Sequence, residues 1–431
     1  MKRRDFLLGV VGAGAIPNRI PLLPHRIGGP QEAQTIKEHR TLGRTGFKAS
    51  DLGAGGPMEE GVLYALLMQG VNYIDTAESY SNGATERMIG KVIKSFDRRS
   101  LFITTKLVLT GDESSEQVKD RALRCFERLD SGYVDCLMIH SATARRHVRN
   151  EAFHEATVEL KQEGKLRYVG VSCHGTSWHN EPEDSMEDVL GAAIEDGRFD
   201  VMLLVYNYLQ KDMGERVLRK CREKNVGTTL MKTDPTGSGG FTYFNDLYTE
   251  REKQGQEAPE WINRLRLKYE RLREQAGPFL EEHQLTTPDQ ARDAAIRFVL
   301  GNPDVNSALV TFKSYDDVED YLRLSGSRFS EADNGILAAH AETDGQLYCR
   351  HACNTCESQC PSRVPVNTIM RYNHYFQAQG REKRAMELYR ELEAPKADLC
   401  EECDGHCQEA CPFAVPIQDL LTFAHSNLTL A

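Results

Sequence analysis

The sequence predicts an α/β protein: a (β/α)8, or TIM, barrel followed by a small, mainly helical, cysteine-rich domain. Two observations carry this. Short β-rich runs alternate with helical stretches from residue 40 to about residue 325, and alternation at that spacing implies a parallel sheet. The cysteines supply the second: Cys125, Cys136, Cys173 and Cys221 are scattered over the first 348 residues, while the other eight of the 12 fall between Cys349 and Cys411. A length of 431 residues accommodates a barrel of about 250 residues and a smaller unit.

Composition excludes several classes. Hydrophobic residues make up 40% and charged residues 27%, ordinary globular usage, so the chain is not disordered as a whole. The net charge is −11, with 64 acidic against 53 basic residues, whereas a nucleic-acid protein carries a basic footprint. No run reaches the roughly 20 apolar residues that a transmembrane helix needs.

The elements follow in order. Residues 1–33 open Lys2-Arg3-Arg4-Asp5-Phe6-Leu7, which resembles a twin-arginine export signal. A weakly apolar stretch, 7–16, has the length of a signal-peptide core, and prolines at 17, 21, 24 and 30 mark a linker. This predicts a periplasmic protein carried folded by the twin-arginine machinery. The plainer alternative is a basic start to a short core helix. A hairpin is expected over 40–48, then barrel strands over 49–53, 71–75, 101–105, 134–139, 167–172, 201–205, 228–231 and 308–311. Helices are expected over 59–68, 85–95, 117–129, 151–163, 186–194 and 215–224, with caps at Ser115, Ser185 (Asp188 three later) and Ser314 (Asp317 three later). A long insertion, 234–285, breaks the rhythm after the seventh strand. It reads either as a lid on the active-site face or as a surface helix.

Asp75, Lys106 and His140 close three consecutive expected strands, and Tyr80 lies in the loop after Asp75. The C-terminal strand ends of a barrel share one face, so the four can converge. Each residue alone has an ordinary reading, as a cap, a solvated cation, a packing ring or a satisfied polar group. Together they suit proton transfer to an oxygen that gains negative charge. A free tyrosine, with a pKa of about 10, is a poor proton donor near neutrality. An adjacent ammonium from Lys106, itself held by Asp75, lowers that pKa. His140 can hydrogen-bond the substrate oxygen.

These residues sit in blocks, Arg40-Thr41-Leu42-Gly43-Arg44, Tyr73-Ile74-Asp75-Thr76-Ala77-Glu78-Ser79-Tyr80, Leu137-Met138-Ile139-His140 and Gly164–Ser172, that resemble the aldo-keto reductase family over roughly 37–325. The resemblance implies a (β/α)8 barrel that interconverts a small carbonyl and an alcohol, sugars included, with NAD(P) as cofactor. It also implies cofactor contacts at Ser172, at Lys232, and at Lys313 and Ser314, whose helix start suits an anion. Three positions depart from the family. Cys173 stands where an Asn is usual, Leu203 where a Gln is, and Lys232 where a ring-stacking Tyr is. Acidic residues at 316, 317, 319 and 320 follow where a basic residue often meets the 2′-phosphate, although acids in a helix's first turn are favourable in themselves.

The domain expected over 326–431 carries Cys349-x3-Cys353-x2-Cys356-x3-Cys360-Pro361 and Cys400-x2-Cys403-x3-Cys407-x3-Cys411-Pro412. Two sets of four thiolates suit two [4Fe–4S] clusters, and a terminal Cys-Pro is a ferredoxin feature. The last cysteine of each motif is expected to serve the other cluster. Structural zinc and disulfides are the alternatives. The sequence therefore predicts an exported oxidoreductase with a ferredoxin-like domain, exchanging electrons with a redox partner. The rival is an electron-transfer or binding protein whose barrel has lost turnover.

Overall fold

The computed structural model describes residues 34–429 except 57, 176–183, 237–240, 283–287, 352, 354 and 378–380. The expected export signal and linker, 1–33, and the glycine run at 237–240 lie outside the described residues. A hairpin of β1 (His39–Thr41) and β2 (Lys48–Ser50) precedes eight parallel strands. These are β3 (Leu52–Gly55), β4 (Tyr73–Asp75), β5 (Phe102–Leu107), β6 (Val134–Ile139), β7 (Leu166–Cys173), β8 (Val201–Val205), β9 (Gly227–Met231) and β10 (Ser307–Val310). They close in the order β10-β3-β4-β5-β6-β7-β8-β9, with β10 pairing both β9 and β3. Every residue of β5 and β6 is buried, as parallel strands covered on both faces require.

Two expectations need correction. The first barrel strand is Leu52–Gly55, not 49–53, because the hairpin takes Lys48–Ser50. Asp51 is the junction: its N–H donates to Glu38 O in the hairpin register, while its carbonyl accepts from Ala308 in the barrel. Ser114, not Ser115, caps the helix Ser115–Leu129, and exchanges hydrogen bonds with Gln117. The boxes at Ser185 and Ser314 form as expected. Gly55 permits one close approach, since a Cβ there would meet Leu309 Cβ at 2.9 Å.

The insertion after β9 forms helices Phe241–Lys253 and Glu260–Glu282. It is neither a lid nor a loose surface helix. Phe244, Trp261, Ile262, Leu265 and Tyr269 form one hydrophobic core with the C-terminal helices Val366–Gln377, Glu382–Glu391 and Ile417–Leu428. Phe423 packs between Phe244 and Trp261, with ring centroids at 5.1 and 5.6 Å. Arg264 pairs with Asp419 at 2.5 Å. The cysteine-rich region is thus built on a platform that the barrel supplies.

Within that region the repeat seen in the sequence is structural. Arg363 and Ala414, each three residues after the last cysteine of a motif, adopt left-handed φ of 53° and 52°. The Val366 and Ile417 amides donate to Val364 O and Val415 O, each at 2.8 Å. Asn367 and Gln418, at the same repeat position, donate to carbonyls of the preceding cysteine loops: Arg350 and Cys353 for the first, Cys400 and Cys403 for the second. Among the described residues no helix is long and apolar enough to cross a membrane.

Candidate active site

Asp75 ends β4, Lys106 lies near the end of β5, and His140 follows β6. The parallel register brings them to one rim: Glu78 N–H donates to Lys106 O, and His140 N–H to Leu107 O. Lys106 Nζ donates to Asp75 Oδ2 at 2.6 Å and to Thr76 O at 2.7 Å, with both side chains buried. Burial disfavours the Lys106 ammonium, but Asp75 and Tyr80 outweigh it and raise its pKa above the ordinary lysine value. Lys106 Nζ lies 5.1 Å from the Tyr80 ring centroid. Tyr80 in turn meets His140 edge-on at 5.9 Å. The next two residues, Ser81 and Asn82, hold left-handed φ of 49° and 50°, backbone strain of the kind that persists where a side chain must be aimed.

The electrostatics correct one expectation. Burial pushes the Tyr80 phenol above its usual value; Lys106 pulls it down but does not prevail, and Asp75 adds to the rise. Tyr80 therefore keeps its proton until charge develops on a bound oxygen. His140 is pushed down to about 3, by burial first and then by Lys106 and Arg371. It is a neutral imidazole, and its buried Nδ1 has no hydrogen-bond partner among the described residues.

Tyr80, His140 and Asp75 line a cavity of about 210 Å³. Of the residues expected at a cofactor, Lys232 and Lys313 line it too. Ser172 and Ser314 are engaged elsewhere. Ser172 is fully buried: its Oγ accepts from Ser141 N–H at 2.8 Å and donates to Ile139 O at 3.3 Å, fixing the turn that carries His140. Ser314 Oγ accepts from Asp317 N–H, and the Lys313 and Ser314 amides both donate to Asp317 Oδ2, at 2.7 and 3.1 Å. The helix start that would receive a phosphate thus holds a carboxylate of its own helix. Cys173 is fully buried, its thiol pushed up to about 12 by burial, and Leu203 presents an apolar wall. Of the residues expected at a cofactor, Lys232 and Lys313 thus face the cavity, while the Ser172 and Ser314 hydroxyls also hold their own turns.

Sequence reasoning missed His174, His374, Tyr375 and Arg381, which also line the cavity. His174 was open to discovery, since it follows the end of β7, where barrel side chains face the site. The other three come from the C-terminal region, and nothing local in the sequence marks them.

The eight tail cysteines are all free thiols, and among the described residues no three His, Cys, Asp or Glu side chains converge on one metal-ion position. Cys360, Cys400, Cys403 and Cys407 line a small hollow together. Burial, followed by Cys407, Cys360 and Cys403, pushes Cys400 up to about 12. Around Cys349 the neighbouring thiols, after burial, are Cys356, Cys353 and Cys411. Val364 N–H and the Asn367 amide donate to Cys360 Sγ at 3.3 Å and to Cys349 Sγ at 3.6 Å. Grouped thiols with N–H donors at two of the sulfurs are chemically suited to an iron–sulfur group, whereas a lone ion needs its sulfurs about 2.3 Å from one point.

An eight-stranded parallel barrel with a Lys–Asp pair, a tyrosine and a neutral histidine on its C-terminal rim defines an oxidoreductase site. The family model described as "Aldo/keto reductase family" matches residues 59–342, and the chain belongs to that family. It is 24% identical over 330 residues to the NADH-specific methylglyoxal reductase of Escherichia coli, covering 70% of this chain and 95% of that protein. It is 28% identical over 310 residues to the L-galactose dehydrogenase of Arabidopsis thaliana, covering 66% and 86%. An aldo-keto reductase structure from Bacillus halodurans shares the fold, with a TM-score of 0.51 at 20% identity over 70% of this chain and 96% of that one.

Proposed function

We propose that this oxidoreductase interconverts a small, polar carbonyl compound and its alcohol, and that its C-terminal region holds two [4Fe–4S] clusters for electron transfer. The convergence of Tyr80, Asp75 and His140 on one cavity, with Lys106 paired to Asp75, carries the first half. Reduction of a carbonyl puts a hydride on carbon and a proton on oxygen; a nicotinamide, if bound, would supply the hydride, and the clusters would exchange electrons with it. Tyr80 supplies the proton at the developing alkoxide, Lys106 stabilises the phenolate left behind, and His140 donates a hydrogen bond to the substrate oxygen. In the other direction the same groups accept the proton.

The clusters, when bound, supply one-electron transfer. The thiol sets Cys349, Cys353, Cys356, Cys411 and Cys360, Cys400, Cys403, Cys407 would hold them, each motif giving its last cysteine to the other set. His374 lines the active-site cavity, and a layer of rings, His374–His351 at 5.4 Å and His351–Tyr348 at 5.5 Å, leads from it to the residue before Cys349. That layer supports an electron link between cavity and tail. The NADH specificity of the Escherichia coli methylglyoxal reductase supports a nicotinamide that is bound here and retained in altered geometry. The paired arginines at the N-terminus support export by the twin-arginine route to the periplasm, where free nicotinamide is scarce and an electron partner is needed.

Anaerobic purification followed by iron, sulfide and nucleotide analysis tests for clusters and nicotinamide, and assay of Tyr80→Phe on a panel of small aldehydes and ketones tests the chemistry. A variant that reduces every active carbonyl at the parent rate would exclude Tyr80 as the donor.

A further inference from the structure

The cavity has a second charged wall, and the C-terminal region builds half of it. Tyr375, buried on the helix Val366–Gln377, lies between two cations: Lys232 Nζ is 4.5 Å from its ring centroid and Arg381 Cζ 5.2 Å. Lys232 follows the end of β9 in a left-handed conformation, φ 58°. A lysine adopts this only at a cost that the surroundings must fix. They do so here, because the buried Asn207 side chain donates to Lys232 O at 2.9 Å. Neither Lys232 nor Arg381 has a carboxylate partner among the described residues. The acids of the cavity are engaged: Asp75 by Lys106, Asp317 by the Lys313 and Ser314 amides, and Asp234 by Thr236 N–H at 2.9 Å. Burial works to raise the Tyr375 phenol, yet Lys232, Arg371 and Arg381 together hold it below its usual value, a measure of the positive potential there.

We propose that Lys232 and Arg381, flanking Tyr375, receive an anionic group of the substrate, so that the enzyme acts on a carbonyl compound or alcohol that carries a carboxylate. This rests on the carbonyl–alcohol reading above and names the substrate class within it. Tyr80 and His140 line the same 210 Å³ space as the two cations, which suits a molecule of a few carbons with its reacting oxygen at one wall and its anion at the other. The specificity wall then belongs jointly to barrel and tail.

The pyrophosphate of a dinucleotide presents the same chemistry, so the test has two arms on the full chain, purified anaerobically. In the first, oxo acids of three to five carbons are compared with their methyl esters, with reduced viologen, NADH or NADPH as donor. The best acid should exceed its ester in kcat/KM by about tenfold or more, and Arg381→Met or Lys232→Met should cut that ratio by about 10- to 100-fold, chiefly through KM. Arg381→Lys should restore part of it. An acid-to-ester ratio that the Met variants leave unchanged overturns the proposal. In the second arm, calorimetry measures NADH and NADPH binding to the same variants. Loss of dinucleotide affinity with an intact acid-to-ester ratio assigns the cations to the pyrophosphate and likewise overturns it. If the parent turns over neither acids nor esters, the carbonyl reading fails, and calorimetric titration of the oxo acid still decides. Binding that Arg381→Met weakens about tenfold supports the anion subsite, and no binding by the parent removes it.

Discussion

Replacing Asp75 with Asn removes the anion from the buried pair while keeping its shape. Lys106 is fully buried and Asp75 3% exposed, and their 2.6 Å contact is the only carboxylate contact of the ammonium among the described residues. Removing one partner of such a pair leaves an uncompensated buried charge and costs about 3–5 kcal/mol. Lys106 can escape by losing its proton, because the hydrogen bond to Thr76 O at 2.7 Å does not require the charge. Its pKa, raised in the parent because Asp75 and Tyr80 outweigh burial, should then fall, since burial remains while the principal anion is gone. In the parent, the stability from this pair is present below the ordinary lysine pKa and is lost only as pH rises through the still higher folded value. In Asp75→Asn no such alkaline reserve remains. Two measurements check this. Denaturant titration at pH 7 should show a loss of about 3 kcal/mol or more, less whatever deprotonation recovers. The rate of carbonyl reduction should fall with rising pH across the neutral to mildly alkaline range, where the parent rate should stay flat. A variant with parental stability and a flat pH profile would refute the argument that Asp75 keeps Lys106 charged.

Other outcomes follow from the same geometry. Tyr80→Phe should lower carbonyl turnover by about 100-fold or more, measured with the full chain and any competent donor. His140, held at about 3 and therefore neutral, should contribute no inflection to the pH–rate profile between pH 5 and 8, and an inflection that disappears in His140→Gln would contradict this. Asp317→Ala should free the Lys313 and Ser314 amides and tighten NADPH binding by about tenfold, or about 1.4 kcal/mol. A calorimetric affinity equal to the parent's would show that the carboxylate does not obstruct that helix start. Truncation after residue 343 should not leave a stable barrel. It uncovers Phe244, Trp261, Ile262, Leu265 and Tyr269, five side chains worth about 1.5–3 kcal/mol each when buried, a sum comparable to a whole domain's stability. A soluble, cooperative thermal transition in the truncated chain would show the insertion to be self-sufficient.

The barrel was legible because its strands are local runs and each βα unit repeats the same switch of period. The four rim residues were legible because barrel topology alone sends the ends of consecutive strands to one face. The first strand was misplaced because 48–53 is continuously β-like, and only tertiary pairing at Asp51 decides where hairpin ends and barrel begins. Sequence could not show that the Ser172 hydroxyl bonds Ser141 and Ile139 and so holds the turn of His140. The direction of the Tyr80 shift was missed for a similar reason: a neighbouring lysine can be read from spacing, but the depth of burial that outweighs it cannot. Tyr375 and Arg381 were beyond reach. They lie far along the chain from Tyr80, and only the packing of the tail on the 241–282 platform brings them to the cavity. The role of that platform was hidden by its charged surface, which conceals the apolar stripe of Trp261, Ile262, Leu265 and Tyr269.

The central claim is that a reductase barrel and an iron–sulfur tail form one enzyme, and the metal content of the anaerobically purified full chain tests it most directly. Eight grouped thiols in two sets of four predict about eight iron and eight acid-labile sulfide per chain, with broad visible absorbance that bleaches on reduction and recovers when a carbonyl substrate is added. Stoichiometric zinc without sulfide, or a colourless protein whose tail cysteines are joined in disulfides, would contradict it.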